Sequence, residues 1–332
     1  MGKKYRNLFE QISNIDNLRD AYKKVIKNGN RCKREALEFK EYLEVNLHEL
    51  QKELNDETYQ VGQVHNFVVY EPKKRVITAL PFKDKVVQHA INNVIEPIFE
   101  KTFYKTSYAC RKDKGTHKGV NNLQSTIRRY KKQNKECYFL KTDFSKYFYS
   151  IGSKLLKLKV SKKITDRKTL RLLFQFIDEV GLKIGFLSSQ LLANVYGHIF
   201  DTFIKTKLKI KHYFRYMDDT VMLSTSKEYL RRVQKILQKF SGIYMKLKFS
   251  KWFIEKVDVQ FINFLGYRIK STHKLIRKDS VTRAKRKIKR FINLKLFDDL
   301  IKFLASWLGH AMKADSFNLV NLFKKELLHA RR

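Results

Sequence analysis

The pair Asp218-Asp219 lies between two runs of strand-forming residues, and this arrangement constrains the fold more than any other feature. Residues 213–217 (YFRYM) precede the pair and residues 220–223 (TVML) follow it. Both runs are rich in aromatic or β-branched residues, so the sequence predicts a β-hairpin with two carboxylates at its tip. Adjacent carboxylates repel each other, and a bound divalent cation such as Mg²⁺ relieves that repulsion. An ordinary acidic turn is the alternative, because Asp is a common turn residue.

A third carboxylate, Asp143, follows a predicted strand at residues 138–142 (YFLKT), about 75 residues before the pair. A strand that ends beside the hairpin tip would bring three carboxylates together, as two-metal phosphoryl transfer requires. One ion would lower the pKa of an attacking 3′-hydroxyl, and both would stabilise the phosphorus and the leaving pyrophosphate. Taken alone, Asp143 has a simpler interpretation as a helix cap, since Ser145 and Lys146 follow.

The charge of the chain indicates its class of partner. It has 71 Lys and Arg against 32 Asp and Glu, a formal net charge of +39 at pH 7. Its 43% hydrophobic and 13% aromatic residues are enough for large packed cores, which excludes a disordered basic tail. A folded protein this basic is expected beside a polyanion, either nucleic acid or an anionic membrane surface. No uninterrupted apolar stretch is long enough to span a membrane, which favours nucleic acid.

The N-terminal residues and the cysteines indicate a reducing compartment. No apolar segment typical of a secretory signal follows Met1. Cys32, Cys110 and Cys137 are far apart and lack metal-ligand spacing, so they are expected to be reduced thiols. Neither they nor the nine histidines predict a zinc site. We therefore expect a cytoplasmic location.

Periodicity and chain breakers predict the other elements. Helices are expected over most of residues 7–55, at 86–98, 120–130 and 170–177, and over the last sixty residues. Strands are expected at 66–80, with a turn at 71–74, and as one strand at 261–269. Ser188 or Ser189, and Ser226, are predicted to cap helix N-termini, and Gly181 to end a helix. These elements predict an α+β chain with an antiparallel sheet.

Four segments, in this order, resemble motifs of reverse transcriptases. Residues 143–151 (DFSKYFYSI) resemble motif A, 184–190 (IGFLSSQ) motif B, 216–219 (YMDD) motif C and 264–267 (FLGY) motif E. The resemblance covers nearly the whole chain and implies a right-hand polymerase with an antiparallel palm sheet. It implies an N-terminal extension and fingers in 1–138, a palm in 139–269 with a helical fingers insertion near 152–187, and a helical thumb in 270–332.

The resemblance implies a metal site and a nucleotide site. Asp143, Asp218 and Asp219 are the expected catalytic carboxylates for two Mg²⁺ ions, which Mn²⁺ can replace, and the Phe144 carbonyl is a further expected ligand. The expected dNTP-binding residues are Lys73, Arg75, Phe148, Ile184, Gly185 and Gln190. Phe148 is the expected steric gate against a ribose 2′-hydroxyl. From the residues alone, Arg75 on a solvated strand surface and Phe148 in core packing are the alternatives.

Two further roles are carried by basic residues. Lys248 and Lys251 are candidates for the acid that protonates pyrophosphate, or else surface lysines that contact phosphates. A basic helix is expected to contact the backbone of the template–product duplex, with a solvated helix face as the alternative. Its expected nucleic-acid-binding residues are Arg283, Arg286, Lys287 and Arg290.

Motif B indicates the subgroup. Ile-Gly followed by three residues and Ser-Gln resembles the bacterial or phage-encoded reverse transcriptases of diversity-generating retroelements. That resemblance implies error-prone copying of a template-repeat RNA into adenine-mutagenised cDNA, and a pentameric accessory variability protein as partner. Ile184 stands where many reverse transcriptases have Gln, so weaker checking of the base pair is expected, although Lys183 departs from the usual Pro. A retron-, CRISPR- or antiphage-type reverse transcriptase and a catalytically idle RNA-binding scaffold are the alternatives.

Overall fold

A computed structural model of the protein describes residues 3–27, 34–70 and 73–330. The chain divides into two compact units, and it passes between them several times. The first unit consists of Met1–Lys105, Phe144–Lys207 and Leu237–Phe249. The second unit consists of Thr106–Asp143, Leu208–Ile236 and Ser250–Arg332.

The helices and strands follow each other in an α+β order. The helices are α1 Phe9–Ser13, α2 Ile15–Val25, α3 Arg34–Glu41, α4 Leu43–Asn55, α5 Phe82–Glu100, α6 Gly115–Lys132, α7 Tyr147–Ser150, α8 Ser153–Ser161, α9 Arg167–Phe174, α10 Leu187–Thr202, α11 Lys227–Lys239, α12 Lys278–Asn293, α13 Phe297–Ala311 and α14 Phe317–Ala330. The strands are β1 His65–Val69, β2 Arg75–Ala79, β3 Tyr138–Phe144, β4 His212–Tyr216, β5 Asp219–Ser224, β6 Phe249–Lys256, β7 Ile262–Phe264, β8 Tyr267–Ile269 and β9 Lys274–Ile276.

The first unit is mainly helical and is built around α5. Val87, Ala90 and Ile91 of this helix are fully buried, at the spacing of an inward helix face. The Asn17 amide of α2 donates to the Ala90 carbonyl at 3.1 Å, which joins α2 to the same helix. Strands β1 and β2 pair antiparallel in a ribbon in which His65 lies opposite Ala79. These contacts fix the segment from β2 to α5 within the unit.

The second unit contains the main sheet, whose strand order is β4-β5-β3-β6. Strands β3 and β5 and strands β4 and β5 pair antiparallel. Helix α6 packs its buried Val120, Leu123 and Ile127 into the same apolar cluster as Phe139 of β3. A three-stranded sheet, β7-β8-β9, and the cluster of α12, α13 and α14 complete the unit.

Most predicted elements are confirmed, and Ser226 is a confirmed cap. Its hydroxyl oxygen accepts from the Tyr229 N–H at 3.1 Å, at the start of α11. The helices predicted in 7–55 are found in the described part of that range, and the strand before Asp143 and the 213–223 hairpin also form. The predicted turn at 71–74 includes Glu71 and Pro72, which lie outside the described residues, as Cys32 does. Cys110 and Cys137, the described cysteines, form no disulfide.

Three local predictions are wrong. Helix α9 ends at Phe174, so Gly181 does not end it. A glycine is required at position 181 because its φ is +84° and a Cβ there would stand 2.9 Å from the Tyr149 carbonyl oxygen. Ser188 and Ser189 lie inside the first turn of α10 and do not cap it. Residues 261–269 form a hairpin and not one strand, because Leu265 and Gly266 both take positive φ, 54° and 87°.

Candidate active site

Strand register in the second unit places two of the predicted carboxylates opposite each other. Asp143 of β3 pairs with Asp219 of β5, and Asp219 also pairs with Tyr216 of β4. Only Met217 and Asp218 separate β4 from β5, and Met217 is buried with a φ of 52°. A positive φ at the first position is a feature of tight hairpin turns. The hairpin tip predicted from the sequence therefore lies beside the end of the strand that carries Asp143.

A lysine that the sequence analysis did not single out stands among these carboxylates. Lys141 precedes Asp143 by two residues, so both side chains leave β3 on the same face. Its ammonium forms an ion pair with Asp219, and the carboxylates of Asp143 and Asp218 also attract it. Burial lowers the pKa of Lys141 to about 7, although the two neighbouring carboxylates raise it. All three acidic side chains thus act on one buried cation.

This environment bears on whether the carboxylates fit a divalent cation. Carboxylate oxygens are the hard ligands that Mg²⁺ prefers, and here they attract one ammonium group, although burial outweighs that attraction. Among the described residues, no group of three or more His, Cys, Asp or Glu side chains stands close enough to hold a metal ion in this arrangement. The ligand types therefore fit a divalent cation, and in this arrangement Asp219 is paired with Lys141.

A fully buried arginine is hydrogen-bonded to the hairpin tip. Arg215 of β4 is 0% exposed, and its guanidinium donates to the Met217 carbonyl at 3.2 Å and to the Ser107 hydroxyl at 3.0 Å. Its backbone N–H and carbonyl bond Thr106 and Tyr108. Charged hydrogen bonds are stronger than neutral ones, so Arg215 fixes the turn that carries Asp218. The sequence signal was an Arg inside an otherwise apolar strand.

In the first unit, β2 is bonded directly to the predicted motif B loop. The Thr78 N–H donates to the Ile184 carbonyl at 2.8 Å. Gly185 has a φ of +118°, and a Cβ there would stand 2.3 Å from the Thr78 carbonyl oxygen. Only glycine fits this close approach, because any side chain would displace β2. Arg75 lies three residues before Thr78 on the same strand and is exposed.

The predicted steric gate belongs to the same group of segments. The Leu182 N–H donates to the carbonyl of Phe148 at 2.7 Å. The hydroxyl of Tyr149 donates to the Val76 carbonyl at 3.3 Å. Phe148 is half-buried, and the adjacent α7 residues are tied to β2 and to the segment before Ile184. The first unit therefore brings together the segments of Arg75, Phe148 and Ile184.

The other predicted site residues are mostly exposed. Lys73 and Gln190 lie on the surface of the first unit, as does Lys248, whose carbonyl accepts from the Ser145 N–H at 2.8 Å. Lys251 lies on β6 in the second unit, and its charge helps to lower the pKa of Lys141. Of the two general-acid candidates, Lys251 is thus the one whose charge acts on the buried Lys141.

The predicted nucleic-acid-binding helix is α12. It buries Ala284 and Ile288, and it exposes Arg286 and Arg290, which form no ion pair with any residue that the structure describes. Arg283 is partly neutralised by Asp279, at 3.2 Å. Lys287 lies over the rings of Phe291 and Phe303, at 5.7 and 5.1 Å from their centroids.

A groove of about 850 Å³ beside α12 adds basic residues to the four predicted to bind nucleic acid. The cations that line it are Arg268, Lys278 and Lys285. Its apolar wall includes Ile276 and Leu319.

No helix in the described ranges is both long and apolar enough to cross a membrane.

Comparison with known proteins identifies the family. Residues 68–269, more than half of the chain, match the family model described as reverse transcriptase (RNA-dependent DNA polymerase). The chain is a member of the reverse transcriptase family. The matched region contains Asp143, Asp218 and Asp219 together with β2 and the motif B loop, and it ends before α12.

Similar curated proteins match part of the chain. The chain is 27% identical to Protein YkfC of Escherichia coli over 41% of its own length and 40% of that protein. It is 25% identical to the Group II intron-encoded protein LtrA of Lactococcus lactis over 48% of its length and 28% of LtrA. The chain therefore spans well under half of these curated relatives.

The fold comparison agrees with the family. A telomerase from Candida albicans, solved with a fragment of telomeric RNA, superposes with a TM-score of 0.51 at 12% identity. The superposition covers 89% of this chain and 59% of the telomerase. At this identity the similarity concerns the fold alone, and it confirms the right-hand polymerase architecture implied by the sequence motifs. The limits of fingers, palm and thumb stay a prediction.

Proposed function

We propose that this protein is an RNA-directed DNA polymerase that adds deoxynucleotides to a 3′-hydroxyl on an RNA template. The observation that carries the proposal is the register of Asp143 opposite Asp219, with Asp218 at the adjoining turn and all three carboxylates acting on one cation. In the reaction, the 3′-oxygen forms a bond to the α-phosphorus, and the bond from that phosphorus to pyrophosphate breaks. Two Mg²⁺ ions, when bound, would supply Lewis-acid stabilisation of the charge that develops.

The residues of the chain take the other roles. Asp143 and Asp218 would hold the ions, Asp219 would support them, and the Phe144 carbonyl is the proposed backbone ligand. Arg75, with Lys73, binds the triphosphate, where negative charge develops as pyrophosphate leaves. Phe148 excludes a 2′-hydroxyl. Lys251 is the preferred donor of a proton to pyrophosphate, and Lys248 is the alternative.

Nucleic-acid binding is proposed for the basic surface of the second unit. Arg286 and Arg290 are exposed on α12, and the neighbouring groove adds Arg268, Lys278 and Lys285. Cations spaced along a helix contact phosphates by shape and charge, without reading the base sequence. We propose that this surface binds the duplex of template RNA and cDNA product.

Primer extension on an RNA template with Mg²⁺ tests the polymerase proposal. The double variant Asp218→Asn with Asp219→Asn should lose synthesis by at least about a thousandfold, since several kcal/mol of charge stabilisation disappear. The control Asp258→Asn changes an exposed carboxylate outside the site and should extend primers like the wild type. Background synthesis by wild type and double variant alike would favour the idle RNA-binding scaffold.

We further propose that the protein copies the template-repeat RNA of a diversity-generating retroelement, with errors opposite template adenines, and binds a basic pentameric accessory variability protein. The support is the motif B sequence and the bond between Thr78 and Ile184, which couples the strand of Arg75 to the loop that replaces Gln with Ile. An apolar side chain at 184 offers no hydrogen bond to check a base pair. With +39 on this chain, the RNA would have to bridge much of the repulsion from a basic partner.

Sequencing of cDNA made from the native RNA tests this subtype. Wild type should show errors concentrated opposite adenines, Ile184→Gln should reduce them, and the control Ile184→Leu should keep them. An unchanged adenine error rate in Ile184→Gln would reject the role of Ile184. A neighbouring accessory gene with paired template and variable repeats supports the retroelement, and their absence favours a retron-, CRISPR- or antiphage-type enzyme.

A further inference from the structure

Four buried polar side chains in the first unit form an unexplained pair of clusters on two packed helices. Gln88 and Asn92 lie one turn apart on α5, and Ser188 and Ser189 lie in the first turn of α10. They are between 0% and 6% exposed. The Gln88 Nε2, the Asn92 Oδ1 and both serine Oγ atoms lack a hydrogen-bond partner among the described residues. Buried polar atoms without partners are costly, so their retention calls for a reason.

The side-chain oxygen of Gln88, unlike its nitrogen, has hydrogen-bond partners. The Gln88 Oε1 accepts from the Leu187 N–H at 2.7 Å and from the Ser188 N–H at 3.4 Å. These N–H groups begin α10, whose own preceding residue, Phe186, offers no side-chain cap. The first N–H groups of a helix have no partner within the helix and require an outside acceptor. Gln88 supplies that acceptor from another helix, 99 residues away in sequence.

The cap also fixes what precedes the helix. Residues 184–186 connect directly to Leu187, and the Ile184 carbonyl is bound by the Thr78 N–H at 2.8 Å. The loop is therefore held at one end by β2 and at the other end by α5. Because β2 ends at Ala79 and α5 begins at Phe82, one short stretch of chain carries both attachments.

We infer that Gln88 is a positioning residue for nucleotide selection, acting through the 184–186 loop. The inference rests on the proposed polymerase function. Loss of the cap frees the first turn of α10 and lets Ile184 and Gly185 move with respect to β2, the strand that carries Arg75. Because the Nε2 of Gln88 has no partner, only its oxygen matters for this role, and Glu should replace Gln.

Single-nucleotide primer extension on an RNA template, with kcat, KM and misincorporation measured, tests the inference. Gln88→Met keeps the size of the side chain and removes the acceptor, so we expect the KM for dNTP to rise roughly fivefold to tenfold, with more misincorporation and a smaller change in kcat. Gln88→Glu should keep values close to wild type. Gln88→Asn, which withdraws the acceptor by one carbon, should shift KM in the same direction by less, and it keeps the test decisive if the methionine variant does not fold.

A matched control separates positioning from general stability. Gln124 of α6, in the second unit, is also buried, and its Nε2 donates to the Lys270 carbonyl at 3.3 Å. Gln124→Met should lower the melting temperature without changing the KM for dNTP or misincorporation. The inference is overturned if Gln88→Met, like Gln124→Met, lowers the melting temperature without changing the KM for dNTP or misincorporation. It is also overturned if Gln88→Glu raises the KM and misincorporation as much as Gln88→Met does. In both cases the polymerase proposal stands. If the wild type makes no DNA, the polymerase proposal fails, and the inference fails with it.

Discussion

The two units hold their candidate site residues by different means. In the first unit, the segments of Arg75, Phe148 and Ile184 are joined mainly by backbone hydrogen bonds and by the close approach of Gly185 to Thr78. In the second unit, the turn of the carboxylate hairpin is held by the buried guanidinium of Arg215, and Asp219 pairs with the buried Lys141. Backbone contacts depend on the space that a residue occupies, whereas ionic contacts depend on its charge. The two regions should therefore respond to different kinds of substitution.

Between the two ways of holding the site residues, the largest effect is expected from adding one carbon to the first unit. Gly185→Ala must displace Thr78, because the new Cβ would stand 2.3 Å from its carbonyl oxygen, and the φ of +118° strains any side chain. A misplacement of about 1 Å costs about a hundredfold in rate, so kcat/KM in primer extension should fall by at least that factor. Gly242→Ala, in the same unit, meets no atom within 4 Å and is the control. Equal activity in both variants would show that the first unit does not depend on the close approach of Gly185 to Thr78.

The next effect is expected from removing a charge in the second unit. Arg215→Met removes the buried guanidinium that donates to the Met217 carbonyl and the Ser107 hydroxyl, and we expect a loss of about 2–3 kcal/mol in the free energy of unfolding. Urea denaturation measures it. Arg231→Met is the control, because its ion pair with Glu228 is exposed and such pairs contribute less than about 1 kcal/mol. Similar losses in both variants would show that the hairpin does not depend on the buried charge.

A smaller effect sharpens the role of Lys141. Lys141→Met removes the ammonium that pairs with Asp219 and repels an incoming metal ion. A charged lysine repels a metal ion even in a partly screened site, so the affinity for Mn²⁺ measured below pH 7 should rise at least about fivefold. Mn²⁺ titration followed by electron paramagnetic resonance measures this. Lys256→Met, whose lysine pairs with Glu136 at the surface, should leave the affinity unchanged. Weaker binding in Lys141→Met would mean that the lysine organises the carboxylates and does not compete with the ion.

The smallest effect concerns pH and a cluster of the second unit. The Tyr267 hydroxyl lies 3.1 Å from the Nδ1 of His117 and 3.0 Å from the Nδ1 of His310, and it donates to the His310 carbonyl at 2.9 Å. Burial lowers the pKa of both histidines, as do Lys274 and Lys313 beside His117, and His117 beside His310.

Since both folded-state pKa values lie below the ordinary value of 6.5, the unfolded chain binds protons more readily. The stability that the folded protein gains from keeping these histidines neutral is therefore complete above about pH 6.5. It is lost as the pH falls through their lowered pKa values. The melting temperature should drop by on the order of 2 °C over that window, and His310→Gln should reduce the slope. A slope unchanged by His310→Gln would assign the effect to other groups.

Short-range patterns allowed much of the fold to be predicted. Ser226 caps α11 because the cap needs only its own neighbours in sequence, and the 213–223 hairpin forms because its strand propensity and turn are both local. Gly181 and Ser188 were misinterpreted for the opposite reason. The glycine is required by the distant Tyr149 carbonyl, and the cap of α10 comes from Gln88 on another helix.

The candidate site shows the same limit. The motifs placed Asp143, Asp218 and Asp219 in strand contexts that the register bears out, whereas their roles stay a prediction. Lys141 was predicted only as part of a strand, although its two-residue spacing from Asp143 indicates that both side chains lie on the same face of β3. Arg215 could be noticed as an Arg in an apolar strand, but its contact with Ser107 depends on tertiary structure. Side chains that act through distant partners leave little trace in local sequence.

The most direct test of the central claim is a count of the metal ions that Asp143 helps to bind. Mn²⁺ binding is measured by electron paramagnetic resonance on the wild type and on Asp143→Asn, each with an RNA template, a primer that lacks its 3′-hydroxyl, and the matching dNTP. We expect two ions in the wild type, the loss of at least one in the variant, and no primer extension by the variant with an ordinary primer. Equal ion binding together with wild-type extension by Asp143→Asn would contradict the role of Asp143 as a metal ligand.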